Sequence, residues 1–186
     1  LFAKALNCEK RGQQAEPCNQ CSVCIEINTG RSLDLIEIDA ASNRGIDEIR
    51  NLRDSARVAA ASSTYKIFII DELHMLTPPA FNALLKTLEE PPGHIIFILA
   101  TTEPHKVLET ILSRVQRFDF KKITPEQIEK KLLRVAKAEG VNIELEAISA
   151  LASVSGGSLR DAESSLAKLI AFAGNKISTA DTAEIL

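Results

Sequence analysis

Lys66-Ile67-Phe68-Ile69-Ile70-Asp71-Glu72-Leu73-His74 decides the fold of this chain. Four β-branched or aromatic residues in a row, entered from a lysine, read as a strand buried on both faces. Two carboxylates follow at once, where such a strand would leave its sheet. In open α/β sheets, ligands sit just outside the carboxyl ends of the strands. An Asp-Glu pair there suits a magnesium–nucleotide site. Asp71 would hold the metal, directly or through water, and Glu72 would polarise an attacking water. A solvated strand end would look the same over so short a stretch, so the surrounding chain decides between the two.

Downstream, Thr77-Pro78-Pro79 marks a helix start, with Thr77 as N-cap and Pro78 at the first helical position. Phe81, Leu84, Leu85 and Leu88 form its buried stripe, and Pro91-Pro92-Gly93 stops it. Ile95 to Ala100 reads as a second buried strand ending in Thr101-Thr102. A short helix around His105 to Leu112 precedes Ser113-Arg114, and the alternation from Val115 to Phe120 predicts another strand. Upstream, Asp34 to Asp39 predicts a short strand. A polar turn from Ala40 to Gly45 leads into an amphipathic helix from Ile46 to about Ala60. Strands alternating with helices in this way argue for a parallel sheet with helices on both faces.

The texture changes near Lys121. Thr124-Pro125-Glu126-Gln127 fits a capping box. Leu132, Leu133 and Val135 belong to the helix that follows, which Gly140 ends. Leu145, Ile148, Leu151 and Ala152 make the next. Gly156-Gly157 breaks the chain, and Ser158 caps a third helix holding Leu159, Ala162, Leu166, Leu169 and Ile170. A further element runs from Asn175 to Leu186. No strand signal follows Phe120. The expected organisation is an α/β domain over residues 1–122 and a small all-helical domain over 123–186, each cut at its outer end.

All four cysteines, Cys8, Cys18, Cys21 and Cys24, fall in the pattern C-x9-C-x2-C-x2-C. Two C-x2-C spacings and a fourth thiol nearby suit one tetrahedral zinc, with every position filled by sulfur and none open for catalysis. A disulfide framework is the alternative. It needs an oxidising compartment, and Leu1 to Leu6 does not read as a secretory signal. No run approaches the ~20 apolar residues of a membrane span, and a cytoplasmic protein is expected. The net charge of −3 excludes a globally basic nucleic-acid binder but leaves room for a local basic patch.

Several stretches together resemble the gamma/tau subunits of bacterial DNA polymerase III, AAA+ ATPases of the sliding-clamp loader. They are Glu37 to Asn43, Asp71 to Leu76, Phe81 to Pro92, Ala100 to Pro104, Ile111 to Arg114 and Gly157 to Ala162, and the resemblance covers essentially the whole chain. It implies an AAA+ P-loop NTPase-type α/β domain with an inserted zinc module at about residues 8–24, then a helical lid. Asp71 and Glu72 would be the Walker B pair, for magnesium and for the attacking water. Thr102 would hold the sensor 1 position near the γ-phosphate. Arg114 would be the arginine finger of a Ser-Arg-Cys motif, reaching a neighbouring subunit's nucleotide. Arg160 would be the sensor 2 arginine, touching the phosphates from the lid.

The resemblance also implies cofactors and partners: structural zinc, ATP and magnesium, further gamma/tau copies, delta and delta-prime subunits, the sliding clamp and primer–template DNA. Arg44, Arg50 and Lys86 are candidates for DNA phosphates, with plain solvated charge as the alternative. Two departures stand out. The phosphate-binding G-x-x-x-x-G-K-[ST] is absent, and Leu1 to Leu6 resembles the helix that follows it, so this stretch alone is expected to hydrolyse no ATP. Val115 replaces the cysteine of Ser-Arg-Cys, which leaves the arginine in place. A non-hydrolysing delta-prime-type stator is the rival within the family, and an intact Glu72 argues against it. A zinc-dependent interaction module explains the cysteines but not Thr102, Arg114 and Arg160.

Overall fold

The computed structural model describes residues 1–12 and 15–185. Gln13 and Gln14, inside the cysteine module, and Leu186, at the end of the last expected element, lie outside them. The chain forms two compact units, Leu1–Arg117 and Phe118–Leu186.

The first unit runs α1 (Phe2–Asn7), α2 (Ser22–Asn28), β1 (Leu35–Asp39), α3 (Ile46–Ala56), β2 (Lys66–Asp71), α4 (Pro78–Glu89), β3 (Ile95–Leu99) and α5 (Glu109–Leu112). Its strands form one parallel sheet in the order β1-β2-β3, with Asp39 opposite Asp71 and Ile70 opposite Leu99. β2 is the central strand, as its unbroken apolar run requires. Ile67, Phe68 and Ile70 are fully buried, and the Phe68 ring stacks on Phe97 at 5.5 Å. Phe68 and Ile70 share one core with Ile49 and Leu52 of α3 and with Phe81 and Leu84 of α4. Lys66 enters this strand buried, and its Nζ donates to the Ser55 carbonyl at 2.9 Å, which satisfies the charge-bearing end.

Asp34 fixes the way into the sheet. Its carboxylate is buried and accepts backbone N–H groups from Ala61 at 2.7 Å and from Ser62 and Ser63 at 2.9 Å. Burial alone would push this carboxyl up, but the three N–H donors outweigh it and hold it below its ordinary value. Asp34→Asn is therefore expected to cost about 1–3 kcal/mol, the usual result of stranding buried donors. A group with a depressed folded pKa gives its stability above the unfolded value of ~3.9 and loses it as pH falls through the folded value. The gap in melting temperature between wild type and Asp34→Asn should be widest near neutral pH and narrow as pH falls below ~3.9 towards the lowered folded value. A gap that stays constant with pH would contradict the assignment.

Two expectations are corrected. Val115 to Phe120 alternates but carries no strand. The sheet order does not include it: Val115 packs against the α/β core, but Phe118 and Phe120 are 68% and 96% exposed, so the alternation builds no buried strand face. The helix read to about Ala60 ends at Ala56, after which the chain turns to deliver Ala61–Ser63 to Asp34. Thr77 is the N-cap of α4 and Pro78 its first residue, as expected, with the Thr77 hydroxyl donating to the Arg44 carbonyl at 3.1 Å.

The second unit runs α6 (Pro125–Ala138), β4 (Asn142–Ile143), α7 (Leu145–Val154), α8 (Leu159–Ala173), β5 (Lys176–Ile177) and α9 (Thr179–Ile185). Ile128, Leu132, Ile148, Leu151, Leu166 and Leu169 form its core. The capping box at Thr124 is complete, and Ser158 accepts the Asp161 N–H at the start of α8. Against the expectation of no strand after Phe120, β4 and β5 pair in parallel over two residues, too short a ladder for periodicity to reveal. Gly157 has φ +89°, and a Cβ there would meet Lys122 Cβ at 2.8 Å. Its carbonyl accepts the Ile123 N–H, so only glycine lets the entering segment lie this close to the turn before α8.

Candidate functional site

The parallel sheet brings three strand ends to one edge. Asp39 ends β1, Asp71 and Glu72 follow the core of β2, and Thr101-Thr102 lie just past β3. Backbone bonds lock the ends together: Ala40 N–H donates to Asp71 O at 3.0 Å, Ala100 N–H to Ile70 O at 2.9 Å, and Leu73 N–H to Ala100 O at 2.9 Å. Asp71 is exposed, with Oδ1 accepting the Glu72 N–H at 2.9 Å. Its other oxygen stays available to a cation. Asp39 is committed to its own turn, accepting from Ser42 Oγ at 2.6 Å and Ala41 N–H at 2.8 Å, and these bonds hold its carboxyl below the ordinary value.

Glu72 adopts φ 48° and ψ 44°, a left-handed conformation that costs a non-glycine residue on the order of 1–3 kcal/mol. The turn swings its carboxylate toward β3, where Oε2 accepts the Thr102 hydroxyl at 3.2 Å. The same Glu72 oxygen lies 3.3 Å from Nδ1 of His74. His74 and Glu103 were not singled out in the sequence. The available signal was a polar residue interrupting the apolar run from Leu73 to Leu76. A carboxylate held beside an exposed strand-end aspartate and a hydroxyl can polarise a water next to a bound cation.

Arg114 does not join this cluster. It is exposed after α5, with Nη1 donating to the Thr110 carbonyl at 2.6 Å and Nη2 paired with Glu89 at 3.0 Å. Arg160 is exposed on the first turn of α8, in the second unit. Arg50 and Lys86 line one groove between α3 and α4, and Arg50 also pairs with Asp47 at 3.0 Å. Arg44 offers its carbonyl to Thr77 in the loop before α3.

The four cysteine sulfurs lie within 4.8 Å of one another, with Cys21 and Cys24 buried. No disulfide joins them. Sulfurs on a tetrahedral zinc with bonds near 2.3 Å stand about 3.8 Å apart, and Cys18 and Cys24 are 3.9 Å apart. Backbone N–H groups of Gln20 and Cys21 point at Cys18 Sγ and lower its thiol to about 6, which favours the thiolate form that a metal takes. Burial pushes the Cys24 thiol up to about 12, and a cation is what would compensate a thiolate there. The donor set and its N–H···S bonds fit zinc.

Among solved structures, the RuvB Holliday junction branch migration motor of Thermotoga maritima matches 88% of this chain and 55% of its own, with a TM-score of 0.67 at 16% identity. That likeness shows the fold, a parallel sheet with helices followed by a helical domain. The family described as DNA polymerase III, delta subunit, matches residues 1–124, and the DNA polymerase III clamp loader subunit, ATPase lid domain, matches residues 127–175. The chain belongs to the clamp-loader subunit family of bacterial DNA polymerase III. It is 52% identical over 181 residues to DNA polymerase III subunit tau of Bacillus subtilis, covering 97% of this chain and 32% of that protein. It is 48% identical to subunit tau of Escherichia coli (96% and 28%) and 44% identical to subunit gamma of Buchnera aphidicola (100% and 51%). The chain thus spans between about a quarter and a half of the length of these relatives.

Proposed function

We propose that this chain is part of a gamma/tau-type motor subunit that uses ATP to load a sliding clamp onto primed DNA. The observation that carries the reading is the pairing of Glu72 with Thr102 beside Asp71, at the carboxyl edge of the parallel sheet. Asp71 would hold magnesium, Glu72 would orient and polarise the attacking water, and Thr102 would sense the γ-phosphate. ATP and magnesium supply the transferable phosphoryl group and its charge neutralisation. Arg114, displayed on the surface, would act on a neighbouring subunit's nucleotide, and Arg160 would contact phosphate from the lid. Arg44, Arg50 and Lys86 would meet DNA phosphates. The partners are other clamp-loader subunits, delta and delta-prime among them, with the clamp and primer–template DNA. No described helix is long and apolar enough to cross a membrane, and we place the work in the cytoplasm.

These 186 residues contain no G-x-x-x-x-G-K-[ST], so hydrolysis is proposed for the whole protein and not for this stretch by itself. The test is ATP turnover by the whole protein with its partner subunits, clamp and primed DNA. Stimulation by the DNA supports the reading, and absence of turnover contradicts it.

The cysteine cluster is proposed to hold one structural zinc. Stripping it with a chelator should release one zinc per chain and lower the melting temperature by on the order of 10 °C, at the ~2–4 °C per kcal/mol of a domain this size. Protein purified without zinc, or a melting temperature unmoved by chelation, would overturn the assignment.

A further inference from the structure

His74 is a buried side chain that the hydrolysis scheme leaves without a role. It sits on the short 3-10 turn Leu73–Met75, and its side chain is 7% exposed. Nε2 lies 3.1 Å from Glu103 Oε2. Nδ1 lies 2.9 Å from Thr101 Oγ1 and 3.3 Å from Glu72 Oε2. Glu103 is itself held from outside by Lys106 Nζ at 2.8 Å, and its N–H donates to Thr101 Oγ1 at 3.0 Å. Both ring nitrogens therefore have partners on two different segments. Rotating the imidazole would strand a buried polar atom, which the interior penalises.

The ring ties two things together. One is the carboxylate on the left-handed residue Glu72, and the other is the turn after β3 that carries Thr102. Without His74, the Thr102 hydroxyl is the one polar side-chain partner left to Glu72 among the described residues, and Glu103 and Thr101 lose the group that holds them against β2.

We propose that His74 is a positioning residue for ATP hydrolysis: it aims the Glu72 carboxylate through Nδ1 while Glu103 fixes the ring through Nε2. The inference rests on the reading of Glu72 as the group that polarises water. Carboxylates only accept, so holding Glu72 and Glu103 at once requires a hydrogen on each ring nitrogen.

The test uses the whole protein assembled with its partner subunits, clamp and primed DNA, and reads kcat and KM for ATP together with the melting temperature. Asparagine places an amide nitrogen near the position of Nδ1, and glutamine reaches that of Nε2. His74→Ala and His74→Gln should lower kcat by roughly ten- to a hundredfold, the scale on which misplacing a group costs rate. KM should stay within about twofold, since binding before the transition state is untouched. His74→Asn should recover most of kcat. Equal losses in the asparagine and glutamine variants that follow the melting temperature would reduce His74 to packing and overturn the proposal. That pair decides the matter even if the alanine variant fails to fold. Glu72→Gln separates the two levels. If it stops turnover while His74→Ala does not lower it, this inference alone fails. If Glu72→Gln turns over normally, the hydrolysis reading fails and this inference falls with it.

Discussion

Arg114→Ala in the whole protein is expected to lower ATP hydrolysis at the neighbouring subunit's site by roughly 10³–10⁵-fold, the contribution of an arginine supplied in trans to phosphoryl transfer. The side chain is exposed and held in place. Val115, next in sequence, packs against the α/β core and pins the backbone, and Thr110 and Glu89 hold the guanidinium from two sides. The Glu89 pair is exposed and contributes little to folding, so the variant should fold, assemble and bind ATP as wild type does. Mixed assemblies give the cleanest reading, because the loss should appear at the site next to the altered subunit and not at its own. Unchanged turnover with assembly intact would remove Arg114 from the mechanism.

Glu72→Gln should separate binding from chemistry. The amide keeps the volume, and its oxygen can still accept the Thr102 hydroxyl that Glu72 accepts at 3.2 Å. It cannot draw a proton from water. Loss of a positioned general base lowers rates by roughly 10²–10⁴-fold, while ATP stays bound. Phosphate release after rapid mixing with primed DNA would record it: a burst for wild type, and a slow rise for the variant with nucleotide retained. Equal bursts would show that Glu72 does not act on the water.

Much of the α/β unit was legible because its signals are local. The run Ile67–Ile70, bounded by Lys66 and Asp71, is a buried central strand, and the Pro-Pro pair at residues 78 and 79 begins α4. The strand-end position of Glu72 and Thr102 followed from the strand assignments. Their contact did not, because it depends on the left-handed turn at Glu72, which no residue in Asp71-Glu72-Leu73 announces. His74 was hidden for a related reason: its partners Thr101 and Glu103 are distant in sequence and close only across the sheet. Val115–Phe120 shows the opposite failure. Its alternation is real, but a strand needs a neighbouring backbone, and that is a tertiary fact. Asp34 likewise reads as a polar strand end until Ala61–Ser63 fold over it.

The most direct measurement is the number of labelled clamps left closed on primed circular DNA by the whole protein and its partner subunits, with ATP or with a non-hydrolysable analogue. A motor built on Asp71, Glu72 and Thr102 predicts clamps that remain on the DNA after the loader departs with ATP, and clamps still held by the loader with the analogue. Closed, free-standing clamps in equal number under both conditions would contradict it.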